Sequence, residues 1–261
     1  MKEKVLCLLF LSIAFLFFLY PKAYAMESNT GLEVIVPEEG WTELDLKSEV
    51  FMYRGSLGSP VKVSSRTPQM YLTAVEIDYD LKKQLLVARK QVNVQVKEEE
   101  KSINAVSSEI TANAESLNLS NGGEITLISE GIKLVTESFI YLFQDSFYEA
   151  DGGFLITKGD WSLSGQHLEG KINDNTLVAT GDLRFIQGMT EGKAERISYS
   201  KDEGKMILAG SPAICWENGY LVGEANTVII YYLDSQGRRA DKYPVFPRDR
   251  GGIWWQLKLK V

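Results

Sequence analysis

Histidine is almost absent from this 261-residue chain, where His167 stands alone. Zinc centres built on several imidazoles are therefore excluded, and a nucleophile–histidine triad would have to use that one ring. Cysteine is nearly as scarce. Cys7 lies in an apolar segment near the start, which leaves Cys215 by itself in the rest of the chain. No internal disulfide can staple the body of the protein. Flanked by Ile214 and Trp216 in a strand-like run, Cys215 reads as a buried, inert thiol. Basic charge is short as well, with 28 Lys and Arg against 35 Asp and Glu, net −7. So acidic a protein has no electrostatic footprint for nucleic acid. Beyond the first segment there is no long apolar run and no convincing helical period.

That first segment is an address. Lys2 and Lys4 precede the apolar run Val5–Tyr20, Pro21 breaks it, and Ala23-Tyr24-Ala25 supplies a small-x-small cleavage pattern. The run is short for a membrane span, which needs about 20 residues. The expectation is export with cleavage after Ala25, the alternative being an inner-membrane anchor over residues 5–20. Cys7 lies too far upstream to carry the lipid of a lipoprotein. Excising the leader removes three lysines against one glutamate and leaves the remainder at about −9.

What is present is strand. Runs of four to nine residues rich in Ile, Val, Tyr and Leu alternate with clusters of Gly, Asn and Asp. The stretch Ala194–Leu233 organises the reading. It opens Ala194-Glu195-Arg196-Ile197-Ser198-Tyr199, bends at Gly210, turns at Asn218-Gly219, the strongest hairpin signal in the chain, and restarts at Glu224-Ala225. Similar phrases begin at Thr73-Ala74 and Thr111-Ala112. The spacings are 38 from Ala74 to Ala112, 31 from Ala194 to Ala225 and 29 from Gly181 to Gly210. A unit of about 30 residues that cannot close its own core must stack on its neighbours. Asn121-Gly122-Gly123 and Asp151-Gly152-Gly153 read as turns, and Val135–Gly159 fits the repeat poorly.

Period-2 counting gives the side chains that share the inner face. They are Leu86, Ala88, Val92, Val94 and Val96; Leu177, Ala179, Leu183 and Phe185; Met206, Leu208, Ile214 and Trp216; and Ile230 and Tyr232. Taken alone, such a set describes a hydrophobic core as readily as a binding surface. No residue pattern supports catalysis, a metal or a cofactor. His167 lies in the turn Gly165-Gln166-His167. Asp174 and Asp182, the one pair that invites a glycosidase comparison, fall in an Asn-rich turn and on a wet strand face.

The Ala-x-x-Ile/Leu-x-Tyr opening, the acidic or Gly turn and the apolar run into Thr180-Gly181 or Ala209-Gly210 resemble the OstA-like lipopolysaccharide-transport proteins, of periplasmic LptA type or membrane-tethered LptC type. The match is best over Leu168–Gly237 and looser over Val61–Val135, where Arg89-Lys90 replaces Thr180-Gly181. The resemblance implies an all-β fold, an open V-shaped β-jellyroll of stacked antiparallel strands over residues 61–237. An N-terminal extension with a few strands would precede it (26–60) and a basic, aromatic tail would follow it (238–261). It also implies a periplasmic, non-enzymatic role, binding lipopolysaccharide or a related envelope lipid in a groove lined by the inner set. That role is part of a bridge between inner and outer membranes. The implied partners are other transport proteins joined through edge strands, including head-to-tail copies of the same chain. In the tail, Arg238, Arg239, Lys242, Arg248, Arg250, Lys258 and Lys260 with Trp254 and Trp255 suit an anionic lipid surface. Two other classes compete with this reading. One is a carbohydrate-active enzyme or lectin on a β-solenoid; the other is a structural envelope adaptor working by β-edge pairing.

Overall fold

The computed structural model describes residues 31–98, 101–232 and 239–244. The leader and most of the tail lie outside these, and no helix among the described residues is long and apolar enough to cross a membrane. The chain divides into two units at Gly152/Gly153.

Unit 1 holds β1 (Leu32–Ile35), β2 (Trp41–Asp45), β3 (Val50–Arg54), β4 (Val61–Arg66), β5 (Gln69–Ala74), β6 (Glu76–Asp80), β7 (Leu85–Glu98), β8 (Lys101–Ala112), β9 (Ser116–Leu127) and β10 (Ile132–Leu142). The strand β11 (Phe147–Lys158) spans the division. Unit 2 holds β12 (Trp161–Gly165), β13 (His167–Lys171), β14 (Thr176–Gln187), β15 (Thr190–Ser200), β16 (Lys205–Ala209), β17 (Ala213–Trp216), β18 (Gly219–Val222), β19 (Thr227–Tyr232) and β20 (Arg239–Pro244). These strands pair antiparallel, as expected of hairpins joined by short turns. The class is all-β and antiparallel. The Val alternation of β7 and β8 outweighs their Lys and Glu content.

The turns explain themselves locally. Asp45 Oδ1 accepts the Lys47 and Ser48 amides at 2.8 and 3.4 Å, closing β2–β3. Asp80 does the same for Lys82 and Lys83, both at 3.0 Å, between β6 and β7. Asn113 serves Glu115 and Ser116, both at 2.8 Å, between β8 and β9. A short Asp or Asn side chain mimics a backbone turn in this way. These bonds hold the Asp45 and Asp80 carboxyls below their ordinary pKa, for Asp45 chiefly the Ser48 hydroxyl and for Asp80 chiefly the Lys83 amide.

The long strands are bent in the middle, and this bend is the organising feature. In β7, Leu85–Arg89 pairs with β6, whereas Asn93–Val96 pairs with β5. Between them Lys90 and Gln91 have φ of 65° and 54°. The same left-handed pair recurs at Asn121-Gly122, Gly152-Gly153, Gly181-Asp182 and Gly210-Ser211. Each inserts a bulge that turns the strand from one half-sheet into another. The neighbouring strand meets the bulge with a corner, where the inward parity reverses. There a small residue is followed three positions on by a bulky one: Ala74/Ile77, Ser107/Ile110, Thr136/Phe139, Gly165/Leu168 and Ala194/Ile197. Ladder bonding lost at the bulge is recovered at the corner. Ser107 Oγ lies 2.8 Å from Gly122 O, and Thr136 Oγ1 lies 3.0 Å from Ser138 O. The Val75 and Glu195 amides donate to Lys90 O at 3.1 Å and Gly210 O at 3.3 Å.

This corrects the repeat read from sequence. The copy of Ala74 is Ser107, not Ala112, and Val135–Gly159 follows the pattern through Thr136/Phe139. The glycine pairs at 122–123 and 152–153 are not turns but bends inside continuous strands β9 and β11. A left-handed residue looks alike in sequence whether it ends a strand or folds it.

A candidate apolar groove and its rim

In unit 1 the bends create two half-sheets whose inner faces carry in-register apolar rows. One row is Tyr53–Ile77–Ala88–Ile110–Leu119–Phe139, and the next is Phe51–Tyr79–Leu86–Ala112–Leu117–Tyr141. On the other half, Val34–Val63–Leu72–Val94–Ala105–Ile125–Leu134 runs straight across seven strands. Leu86, Ala88, Val92, Val94 and Val96 all point inward and are buried. Burial pushes the Tyr53 hydroxyl up to about 12 and raises that of Tyr148 further. The outer face is wet and charged. Arg54 and Arg89 each approach Asp78 at 2.7 Å, and Arg89 also holds Glu109 at 3.1 Å. The hydrogen bond to Asp78 raises the Arg89 pKa.

In unit 2 one inner row is Leu168–Ala179–Ile197–Leu208–Ile229, and the facing one is Leu163–Phe185–Gly192–Ile214–Leu221. The Phe185 ring lies directly over Gly192, where a Cβ would stand 1.8 Å from its edge, so only glycine fits. Ala179, Leu183, Phe185, Met206, Leu208 and Ile214 are inward and buried. Leu177 faces inward at the end of its half-sheet and is part-exposed. Trp216 shares the face of Ile214 at the strand end and is 37% exposed. Ile230 and Tyr232 fall on the opposite face, because Met206 and Leu208 stand across from Tyr231 and Ile229. The two-residue turn Glu217-Asn218, pairing Trp216 with Gly219, reverses parity, which a count carried forward from Gly210 does not register. Cys215 is exposed rather than buried, since it sits on the outward parity between Ile214 and Trp216.

Farthest from the bend, both halves of unit 2 end in rows that mix Met206 with polar-tipped side chains, and Met206, Tyr231 and Thr190 are buried. Tyr199–Met206–Tyr231 stand in register on one half, and Trp161–Gln187–Thr190 on the other. The two rims touch. Tyr231 packs on Phe185 with ring centroids 5.6 Å apart, and its hydroxyl donates to Gln187 Oε1 at 3.0 Å. Trp161 and Tyr199 have centroids 6.5 Å apart. The buried Trp161 Nε1 finds no acceptor among the described residues, a cost of about 1–3 kcal/mol.

Both units present strand edges. Among the described residues β1 pairs only with β4, β2 only with β3, β18 only with β17 and β20 only with β19. All five residues of β2 are exposed, including Trp41, over which Arg54 sits at 5.6 Å. The β20 segment is all the structure describes of the basic tail; Trp254, Trp255 and the cations beyond Pro244 lie outside the described residues.

The acidic candidates lie at different places on the β14 region. Asp174 is in the loop before β14 and Asp182 is exposed at its bend.

Fold and interior thus define an all-β protein of bent antiparallel strands, with apolar rows on the inner faces of the half-sheets in each unit. No protein-family model matches the sequence, and no curated protein matches it. Among solved structures the chain is similar to LptH, described as the LptA homologous periplasmic component of the conserved lipopolysaccharide transport device from Pseudomonas aeruginosa. The identity is 19% and the TM-score 0.35, over 42% of this chain and 74% of that one.

Proposed function

We propose that this protein is a non-enzymatic lipid carrier of the cell envelope. It takes the acyl chains of lipopolysaccharide or a related amphiphile between its half-sheets, on the way from inner to outer membrane. The observation that carries the reading is the inner face itself: rows of five to seven in-register apolar side chains on both halves of the bent strands. The halves are joined through the bends, and ladder bonds run within each half. Parting them leaves the ladders intact. An acyl chain then replaces side-chain contacts with contacts of similar worth, about 25 cal/mol per Å² of apolar surface. The groove residues of this reading are Leu86, Ala88, Val92, Val94, Leu177, Ala179, Leu183, Phe185, Met206, Leu208 and Ile214, with Trp216 at the rim. The open edges β2, β18 and β20 suit pairing with a neighbouring transport protein or a second copy of the chain.

The test is retention of purified protein with lipopolysaccharide and with its fully deacylated form. Binding of the acylated form alone supports the carrier. Equal binding of both would assign recognition to sugar or phosphate and reject it.

A further inference from the structure

We infer that the rim of unit 2 is a latch that must release before a guest can enter, a deduction resting on the carrier reading above. The inner rows below the rim are aliphatic or Phe and buried, from Ala179, Ile197, Leu208 and Ile229 on one half to Leu163, Phe185 and Ile214 on the other. At the rim the chemistry changes. Tyr199, Met206 and Tyr231 are in register on one half and Trp161, Gln187 and Thr190 on the other, and the contacts across the halves include two devices. One is the Tyr231 hydroxyl on Gln187 Oε1 at 3.0 Å, with the Tyr231 ring on Phe185. The other is the Trp161–Tyr199 ring contact.

Both devices close a water-excluded rim, where Tyr231, Met206 and Thr190 are 1%, 0% and 1% exposed. On opening, the neutral hydrogen bond is exchanged for one to water. The phenol and indole tips then meet water or the polar head of the guest. The closed state also leaves Trp161 Nε1 buried without an acceptor among the described residues. Opening gives that N–H water or an oxygen of the guest's polar head. The outermost row of unit 1 carries phenols as well, Tyr79 and Tyr141, so it is the Trp161 N–H without an acceptor among the described residues, and not the polar tips, that marks the unit 2 rim. Entry is therefore assigned to the unit 2 rim, with the chains passing below it and the head-group oxygens staying at Trp161.

The experiment uses the full chain and a fluorescent long-chain fatty acid as probe. In a Cys215→Ser background, Trp161→Cys with Tyr199→Cys is bridged by a short bis-maleimide. The bridged protein should take up the probe at least tenfold more slowly than the same variant unbridged. Tyr231→Phe, which keeps the ring and removes only the hydroxyl, should accelerate uptake about fivefold, the equivalent of one neutral hydrogen bond. Uptake by the parent that is unchanged by the bridge and by Tyr231→Phe overturns the latch and leaves the carrier standing. A parent that takes up no probe overturns both.

Discussion

Replacing Gly210 by alanine tests what holds the strands bent. Gly210 opens the left-handed pair between β16 and β17, with φ +75°, and a Cβ there would stand 2.6 Å from Glu195 Cβ. The left-handed conformation costs an L-residue roughly 1–2 kcal/mol. The contact falls under 3.0 Å, on an atom one bond from the backbone, so the corner must shift and cost about 1 kcal/mol more. Alanine returns about 0.4–1 kcal/mol by restricting the unfolded chain. The net expectation is a loss of about 2 kcal/mol. Gly204 is the control, a turn glycine with φ +58° and nothing within 4 Å of the point where a methyl would stand. Gly204→Ala carries the φ cost without the collision and should lose about 1 kcal/mol less. Urea denaturation followed by tryptophan fluorescence gives both values. Equal losses at Gly210 and Gly204 would refute the claim that the corner–glycine contact sets the bend.

Phe185→Ala removes a fully buried ring from the interior of unit 2 and should cost about 3–5 kcal/mol by the same denaturation assay. Asp45 and Asp80 have carboxyl pKa values lowered below 3.8. Their hydrogen bonds therefore stabilise the fold above that value and are lost as pH falls through the lowered folded pKa. The urea midpoint should drop more steeply below about pH 4 in the parent than in an Asp45→Asn, Asp80→Asn variant; parallel curves would contradict this. Deleting residues 245–261, which spares β20, should reduce co-sedimentation with anionic liposomes and leave neutral liposomes unaffected, and unchanged co-sedimentation would remove the membrane role of the tail.

The strands and most of their inward side chains are legible in the sequence because period-2 alternation is strong wherever one face is buried, as in Val92–Val96 and Leu183–Phe185. What escapes it is the parity at the bends. A bulge on one strand is answered by a parity reversal on the next, so Ser107/Ile110 and Thr136/Phe139 conceal a copy of Ala194/Ile197 that residue identity does not display. Lys90 shows the same thing from the other side: it occupies the position of Gly181 at φ 65° without being glycine. Ile230 and Tyr232 are misplaced by any count that crosses the Glu217-Asn218 turn, and Cys215 by attention to its apolar neighbours rather than its parity. The rim contacts join residues 38 and 44 positions apart on facing halves, and no local pattern announces such a meeting.

Photocrosslinking from single positions on β14 addresses the carrier most directly. Leu183 is inward and buried while Arg184, its neighbour, is outward. A photoreactive residue at Leu183 should yield lipopolysaccharide adducts and one at Arg184 should yield none. Adducts at Arg184 with none at Leu183 would contradict an acyl-binding interior.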